Sequence, residues 1–171
     1  MRDAVAITFE TAAAADVDAM LGLWVRAHAA RREGIGVDVA ATRDILRARS
    51  ETAGAWFVLA RDREQLVGMA HGLPARALDG AGEVVPRLLH LSMVAVDPEH
   101  WGRGIGYQVT ERAVRHAQRS GFEKAQLWTP RTNLRARRLY ENLGFRLDGG
   151  EKLDERGESI VLYVLAFAPG S

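Results

Sequence analysis

Glycines at 102, 104 and 106 punctuate the segment Trp101-Gly102-Arg103-Gly104-Ile105-Gly106, which sits between an apolar run and an amphipathic one. Upstream, Leu88–Val96 alternates as a strand that Pro98 ends. Downstream, from Ile105 to Ser120, residues Ile105, Val109, Ala113 and Ala117 fall on one helical stripe, and Gly121 stops it. The chain must therefore pass from strand to helix through a loop that can turn without Cβ clashes and bring backbone N–H groups close to a ligand. The opening turn of such a helix has unpaired donors and a positive dipole end, which suit a phosphate or pyrophosphate. Arg103 would add a direct charge, and each charge-assisted bond is worth roughly 1.5–3 kcal/mol. A plain turn before a capped helix is the other reading of the same residues. The spacing is not the Gly-x-Gly-x-x-Gly of dinucleotide folds, and the Gly-Lys-Ser/Thr of a P-loop is absent.

The rest of the chain frames this junction. Ala4–Glu10 reads as a strand through Val5, Ile7 and Phe9. Asp16 to about Arg31 reads as a helix with Val17, Met20, Leu21, Trp24, Val25 and His28 at three- and four-residue steps. Glu33-Gly34-Ile35-Gly36 breaks it, and Asp38 or Thr42 caps a second helix through Arg49. Ala55–Ala60 and Gln65–His71 form strands around a polar turn, and Ala77–Pro86 reads as a loop. After the glycine segment come a strand at Lys124–Thr129, parallel to Leu88–Val96 by a right-handed crossover, and a helix at Asn133–Leu143 ended by Gly144. Phe145–Lys152 and Ser159–Phe167 close as a hairpin across Asp154-Glu155-Arg156-Gly157. The fold class expected is α+β: a mixed, mostly antiparallel sheet with helices on both faces and one parallel βαβ crossover.

Composition narrows the partners. At 171 residues, without a repeat or a dividing linker, residues 1–171 are expected to form one domain. A formal net charge of +1 points to neither nucleic acid nor membrane. The N-terminus shows no signal-peptide pattern and no segment reaches a membrane span, so a cytoplasmic location is expected. With no cysteine there is no disulfide framework, no Cys-ligated zinc and no cysteine nucleophile. The histidines at 28, 71, 90, 100 and 116 lack zincin spacing, and no metal site is expected.

A second constellation, Asn133-x-x-Ala136-x-x-x-Tyr140-x-x-x-Gly144-Phe145, follows one crossover later. Asn133 and Tyr140 are nearly two helical turns apart and can share a face. Taken together, Val96-Asp97-Pro98 with Trp101–Gly106, and Asn133 through Phe145, strongly resemble the motifs of the GNAT-type N-acetyltransferase superfamily, and the order of elements fits over nearly the whole chain. One position departs: Trp101 stands where the family usually has Arg or Gln.

The resemblance implies the chemistry. An acyl-CoA co-substrate, acetyl-CoA, would lay its pantetheine arm along the backbone of Met93, Val94, Ala95 and Val96. Its pyrophosphate would rest on Trp101, Gly102, Arg103, Gly104, Ile105, Gly106 and Tyr107, with Asn133 as a polar contact. A neutral primary amine would attack the thioester directly. Tyr140 takes the place of the general acid that protonates the departing thiolate, a transfer expected to run downhill or nearly so. His90 lies six residues before Val96, where certain histone-acetylating relatives place a catalytic glutamate, and is the first candidate base, with Glu83 as the second. Arg131, Arg135, Arg137 and Arg138 form either a solvated helix face or a contact to the nucleotide phosphate. Tryptophans 24, 56 and 128 read as core. The implied function is acetylation of a primary amine on a small molecule. A protein N-terminus or lysine as acceptor, or a non-catalytic acyl-CoA sensor, stays open, as does a homodimer.

Overall fold

The computed structural model describes residues 6–32 and 36–169. The elements run β1 (Thr8–Ala12), α1 (Val17–Arg31), α2 (Val39–Glu51), β2 (Trp56–Asp62), β3 (Gln65–Arg76), β4 (Val84–Val96), α3 (Ile105–Arg119), β5 (Lys124–Pro130), α4 (Leu134–Asn142), β6 (Arg146–Leu153) and β7 (Ser159–Ala166). The seven strands form a mixed sheet in the order β1-β2-β3-β4-β5-β7-β6. β4 and β5 run parallel, whereas β1/β2, β5/β7 and β6/β7 are antiparallel. This is the mixed α+β architecture expected from the sequence. No helix among the described residues is long and apolar enough to cross a membrane.

The chain divides into two compact units, one of the residues up to His71 with Met93–Ala113, the other of Gly72–Ser92 with Val114 onward. In the first unit, Asp16 and Asp38 cap α1 and α2 by accepting from the N–H groups of Ala19 and Ala41, each at 2.9 Å. Met20 and Leu23 from α1 and Leu46 from α2 pack with Phe57, Leu59 and Met69 from β2 and β3. In the second unit, β5 alternates, with Ala125, Leu127 and Thr129 buried, and β7 buries Val161 and Tyr163. The β6–β7 turn is locked by Asp154, whose carboxylate accepts from the N–H groups of Arg156 at 2.9 Å and Glu158 at 2.8 Å.

Three sequence expectations shift. The first strand begins at Thr8 and pairs with β2 from Thr8↔Arg61 to Ala12↔Phe57, so it runs two residues past Glu10. Ala4, Val5 and the break at Glu33-Gly34-Ile35 lie outside the described residues. The expected loop at Ala77–Pro86 is shorter, because β3 runs to Arg76 and β4 starts at Val84. Pro86, the expected end of that loop, falls inside β4, and Arg87 beside it takes a φ of +61°. A tight turn closes the hairpin: the Ala77 N–H donates to the Glu83 carbonyl at 2.9 Å, and the Gly82 N–H to that of Ala77 at 2.8 Å.

Candidate active site

The glycine loop lies wholly within the first unit, built on the end of β4. There the Asp97 N–H donates to the Val67 carbonyl at 2.8 Å. Its carboxylate, almost fully buried, accepts from the Glu99 N–H at 3.1 Å and from Arg26 Nε at 2.8 Å. A 3-10 turn over Pro98–His100 follows, and the Trp101 indole folds back to donate to the Val96 carbonyl at 2.9 Å. Gly102 and Gly104 hold φ of +78° and +74°. A Cβ at either would meet nothing within 4 Å, so the backbone angle, not crowding, demands glycine.

The first helical bond of α3 runs from the Gln108 N–H to the Gly104 carbonyl at 3.1 Å. The N–H groups of Ile105, Gly106 and Tyr107 therefore lack intrahelical acceptors and stand at the positive end of the helix. The helix start is seated by Gly68 on β3: a Cβ there would lie 2.6 Å from Ile105 Cγ2. Ile105, Val109, Ala113 and Ala117 are all buried, as their spacing implied. Arg103, nearly half exposed, has its guanidinium 3.8 Å from the Asp62 carboxylate, which also lies 3.1 Å from His100 Nε2. The loop thus offers a cradle of donors and a part-exposed cation for an anionic ligand.

The second motif lies in the other unit. Asn133 caps α4, its Oδ1 accepting from the Ala136 N–H at 3.3 Å. Tyr140 is buried, its ring edge-on to Phe145 at 6.0 Å and tilted against Tyr163 at 6.3 Å. The parallel ladder runs from Leu88↔Lys124 to Leu91↔Leu127, and each strand continues beyond it, β4 to Val96 and β5 to Pro130.

The glycine loop at the strand end and the tyrosine on α4 meet the pattern of one known family. A match to the Acetyltransferase (GNAT) family covers residues 18–145, about three-quarters of the chain. The chain belongs to the GNAT family. A curated GNAT relative, the mycothiol acetyltransferase of Acidothermus cellulolyticus, is 36% identical over 107 residues, covering 59% of this chain and 33% of that protein. The chain spans less than half the length of the curated relatives it matches. Among solved structures, the ribosomal-protein-S18-alanine N-acetyltransferase from Escherichia coli aligns with TM-score 0.74 at 18% identity over 97% of both chains. The yncA protein of Salmonella typhimurium, solved with its cofactor acetyl-CoA, aligns with TM-score 0.70 at 20% identity over 97% of this chain and 96% of that one. At these identities the likeness establishes the GNAT fold.

One expectation about this GNAT site needs correction. Reference values near ~10 for tyrosine and ~8.5 for a thiol already make proton transfer to a free thiolate uphill. Burial then pushes the Tyr140 phenol well above the ordinary tyrosine range, because a phenolate there would lose its water. Tyr140 is firmly protonated, and any donation must be concerted with departure of the sulfur. Glu83, the second candidate base, immediately precedes β4, seven residues before His90. His90 itself is half-buried, in register with Gln126, on the opposite face of β4 from Leu89 and Leu91.

Of the four arginines near α4, Arg131 forms a bidentate pair with Glu151, with Nε to Oε1 at 3.0 Å. Arg137 donates to the Tyr163 hydroxyl at 2.9 Å and to the Arg131 carbonyl at 3.0 Å. These two bind the protein's own framework, which favours the structural reading of the cluster. Trp56 is buried and Trp128 half-buried; Trp24 stacks on His28 with ring centroids 4.1 Å apart. Sequence reasoning missed Asp97, Gly68 and Tyr163. Only Gly68 had a local signal, an isolated glycine inside a strand pattern, which marks a close approach.

Proposed function

We propose that this chain transfers an acetyl group from acetyl-CoA directly to a primary amine on a small molecule. The observation that carries this reading is the glycine loop: two positive-φ glycines deliver the end of β4 into the donor-rich start of α3. The Trp101–Tyr107 segment would hold the pyrophosphate, with Arg103 released from Asp62 to add charge. The Met93–Val96 backbone, beyond the β5 ladder, would pair with the pantetheine amides, and Asn133 would make a further polar contact. The family match runs through both compact units, which supports reading residues 1–171 as one acyltransferase domain.

The amine nitrogen attacks the thioester carbonyl, the C–S bond breaks, and Tyr140 gives its proton to the sulfur as negative charge develops there. The ammonium formed in the attack loses a proton to His90, directly or through water, yielding the amide and CoA thiol. The name of the mycothiol acetyltransferase relative supports a small acceptor; that of the ribosomal-protein acetyltransferase supports a protein N-terminus.

The test is CoA release, followed with a thiol reagent across a library of small amines and a panel of peptides. The chain has no cysteine, so the protein adds no background signal. Turnover with a small amine is expected. Turnover with peptides alone would transfer the assignment to protein acetylation. Tight acetyl-CoA binding without any turnover would indicate a sensor, and no binding at all would overturn the reading.

A further inference from the structure

We propose that Tyr163 is a positioning residue for Tyr140, its hydroxyl gripping α4 through Arg137 and Glu141 so that the Tyr140 phenol is held on aim. The inference rests on the reading of Tyr140 as the proton donor. Tyr163 projects from β7 with its ring fully buried, and a buried hydroxyl must find partners or lose its hydration without return. It finds two on one helix. Arg137 Nε donates to it at 2.9 Å, and it donates in turn to Glu141 Oε1 at 2.6 Å. Arg137 and Glu141 are four residues apart and share a face of α4, so one oxygen from β7 bridges a full helical turn.

Tyr140 lies inside that grip, three residues after Arg137 and next to Glu141, so any rotation of α4 swings its ring. α4 has nine residues, too few to hold its own orientation without tertiary contacts. Tyr163 also supplies one wall of the Tyr140 site, the rings being 6.3 Å apart. Phenylalanine would fill the same wall. The hydroxyl adds only the grip, which makes it the group whose removal isolates positioning from packing.

The experiment compares Tyr163→Phe, Tyr140→Phe and the double variant, with kcat and KM for acetyl-CoA measured using the best amine from the library. Tyr163→Phe is expected to lower kcat about tenfold or more while KM changes little, because a small misplacement of a reacting group costs rate rather than binding. In the Tyr140→Phe background the same change should cost nothing further. Glu141→Gln, which keeps an oxygen to accept from the hydroxyl, is expected to lose less than Glu141→Ala. An equal loss from Tyr163→Phe in both backgrounds would overturn the proposal in favour of a general structural role, as would an unchanged kcat. If Tyr140→Phe is silent while the wild type turns over, the proton-donor reading has failed and takes the proposal with it. NMR of 13C-ring-labelled tyrosine gives a readout that needs no turnover. The chain has three tyrosines, and Tyr140→Phe assigns the resonance. Its shift should move in Tyr163→Phe; an unmoved resonance overturns the grip.

Discussion

The indole nitrogen of Trp101 donates to the carbonyl oxygen of Val96 over 2.9 Å, tying the glycine loop to the last residue of the strand it leaves. A side chain that replaces the Arg or Gln usual in the family therefore acts on the backbone. Trp101→Phe keeps the ring and removes the donor. Acetyl-CoA affinity by calorimetry is expected to fall roughly two- to tenfold, the worth of one hydrogen bond at ~0.5–1.5 kcal/mol. Unchanged affinity with an intact fold would show that the tie does not shape the loop.

Gly68 sets the other boundary of the loop. A methyl group there would stand 2.6 Å from Ile105 Cγ2 and 3.2 Å from the Ala60 Cβ. Gly68→Ala should destabilise the protein by ~1–3 kcal/mol through overpacking, read from urea unfolding. Adding Ile105→Ala should cost less in that background than in the wild type, since it vacates the contested space. Strict additivity would mean that the overlap is not the cause.

Tyr140 makes two tests. Tyr140→Phe should lower kcat by ~10²–10⁴-fold if chemistry limits turnover, with cofactor affinity nearly intact. Its stability effect has a definite sign. Burial raises the folded-state pKa above the unfolded value near ~10. Below pH ~10 both states keep the proton and the contribution is complete. As pH rises further the unfolded chain ionises first, and stability is lost by up to ~1.4 kcal/mol per pH unit until the folded phenol itself titrates. Tyr163 shifts in the same direction and adds to the loss. Denaturant melts between about pH 9 and 11.5 should show a shallower decline for Tyr140→Phe; parallel curves would contradict a buried phenol.

His90 is tested by the pH dependence of kcat/KM. As a base it acts only as neutral imidazole, so kcat/KM should rise through an apparent pKa of its own, and His90→Ala should remove that limb. His90→Gln keeps polar volume without basicity and should behave like the alanine variant. If both keep the wild-type profile, proton removal falls to Glu83 or to a water relayed through backbone carbonyls.

What could be read in the sequence was what depends on nearest neighbours in the chain. Asp38 caps its helix, the stripe of Ile105, Val109, Ala113 and Ala117 is buried, and Gly102 and Gly104 take up positive φ. What escaped depends on partners far along the chain. Asp97 reads as a residue before proline, yet it is bonded to Arg26, 71 positions away. Tyr163 reads as one apolar residue of a closing strand, and its role appears only when α4 brings Arg137 and Glu141 to it. The Tyr140 phenol could be placed on a helix face, but its altered acidity follows from burial by Phe145 and Tyr163, which spacing does not report.

The open space around Gly102 and Gly104 turns on handedness. A Cβ at either position would meet nothing within 4 Å, so the free protein resists an L-alanine there for its chirality and not for its bulk. A D-alanine placed there by chemical synthesis would favour the same sign of φ that an L-alanine resists. The pair of mirror-image variants would part the two demands on the loop, the twist its backbone must hold and the room a bound diphosphate must have. Among genetically encoded residues glycine alone has no hand, and it meets the first of these demands at the least cost.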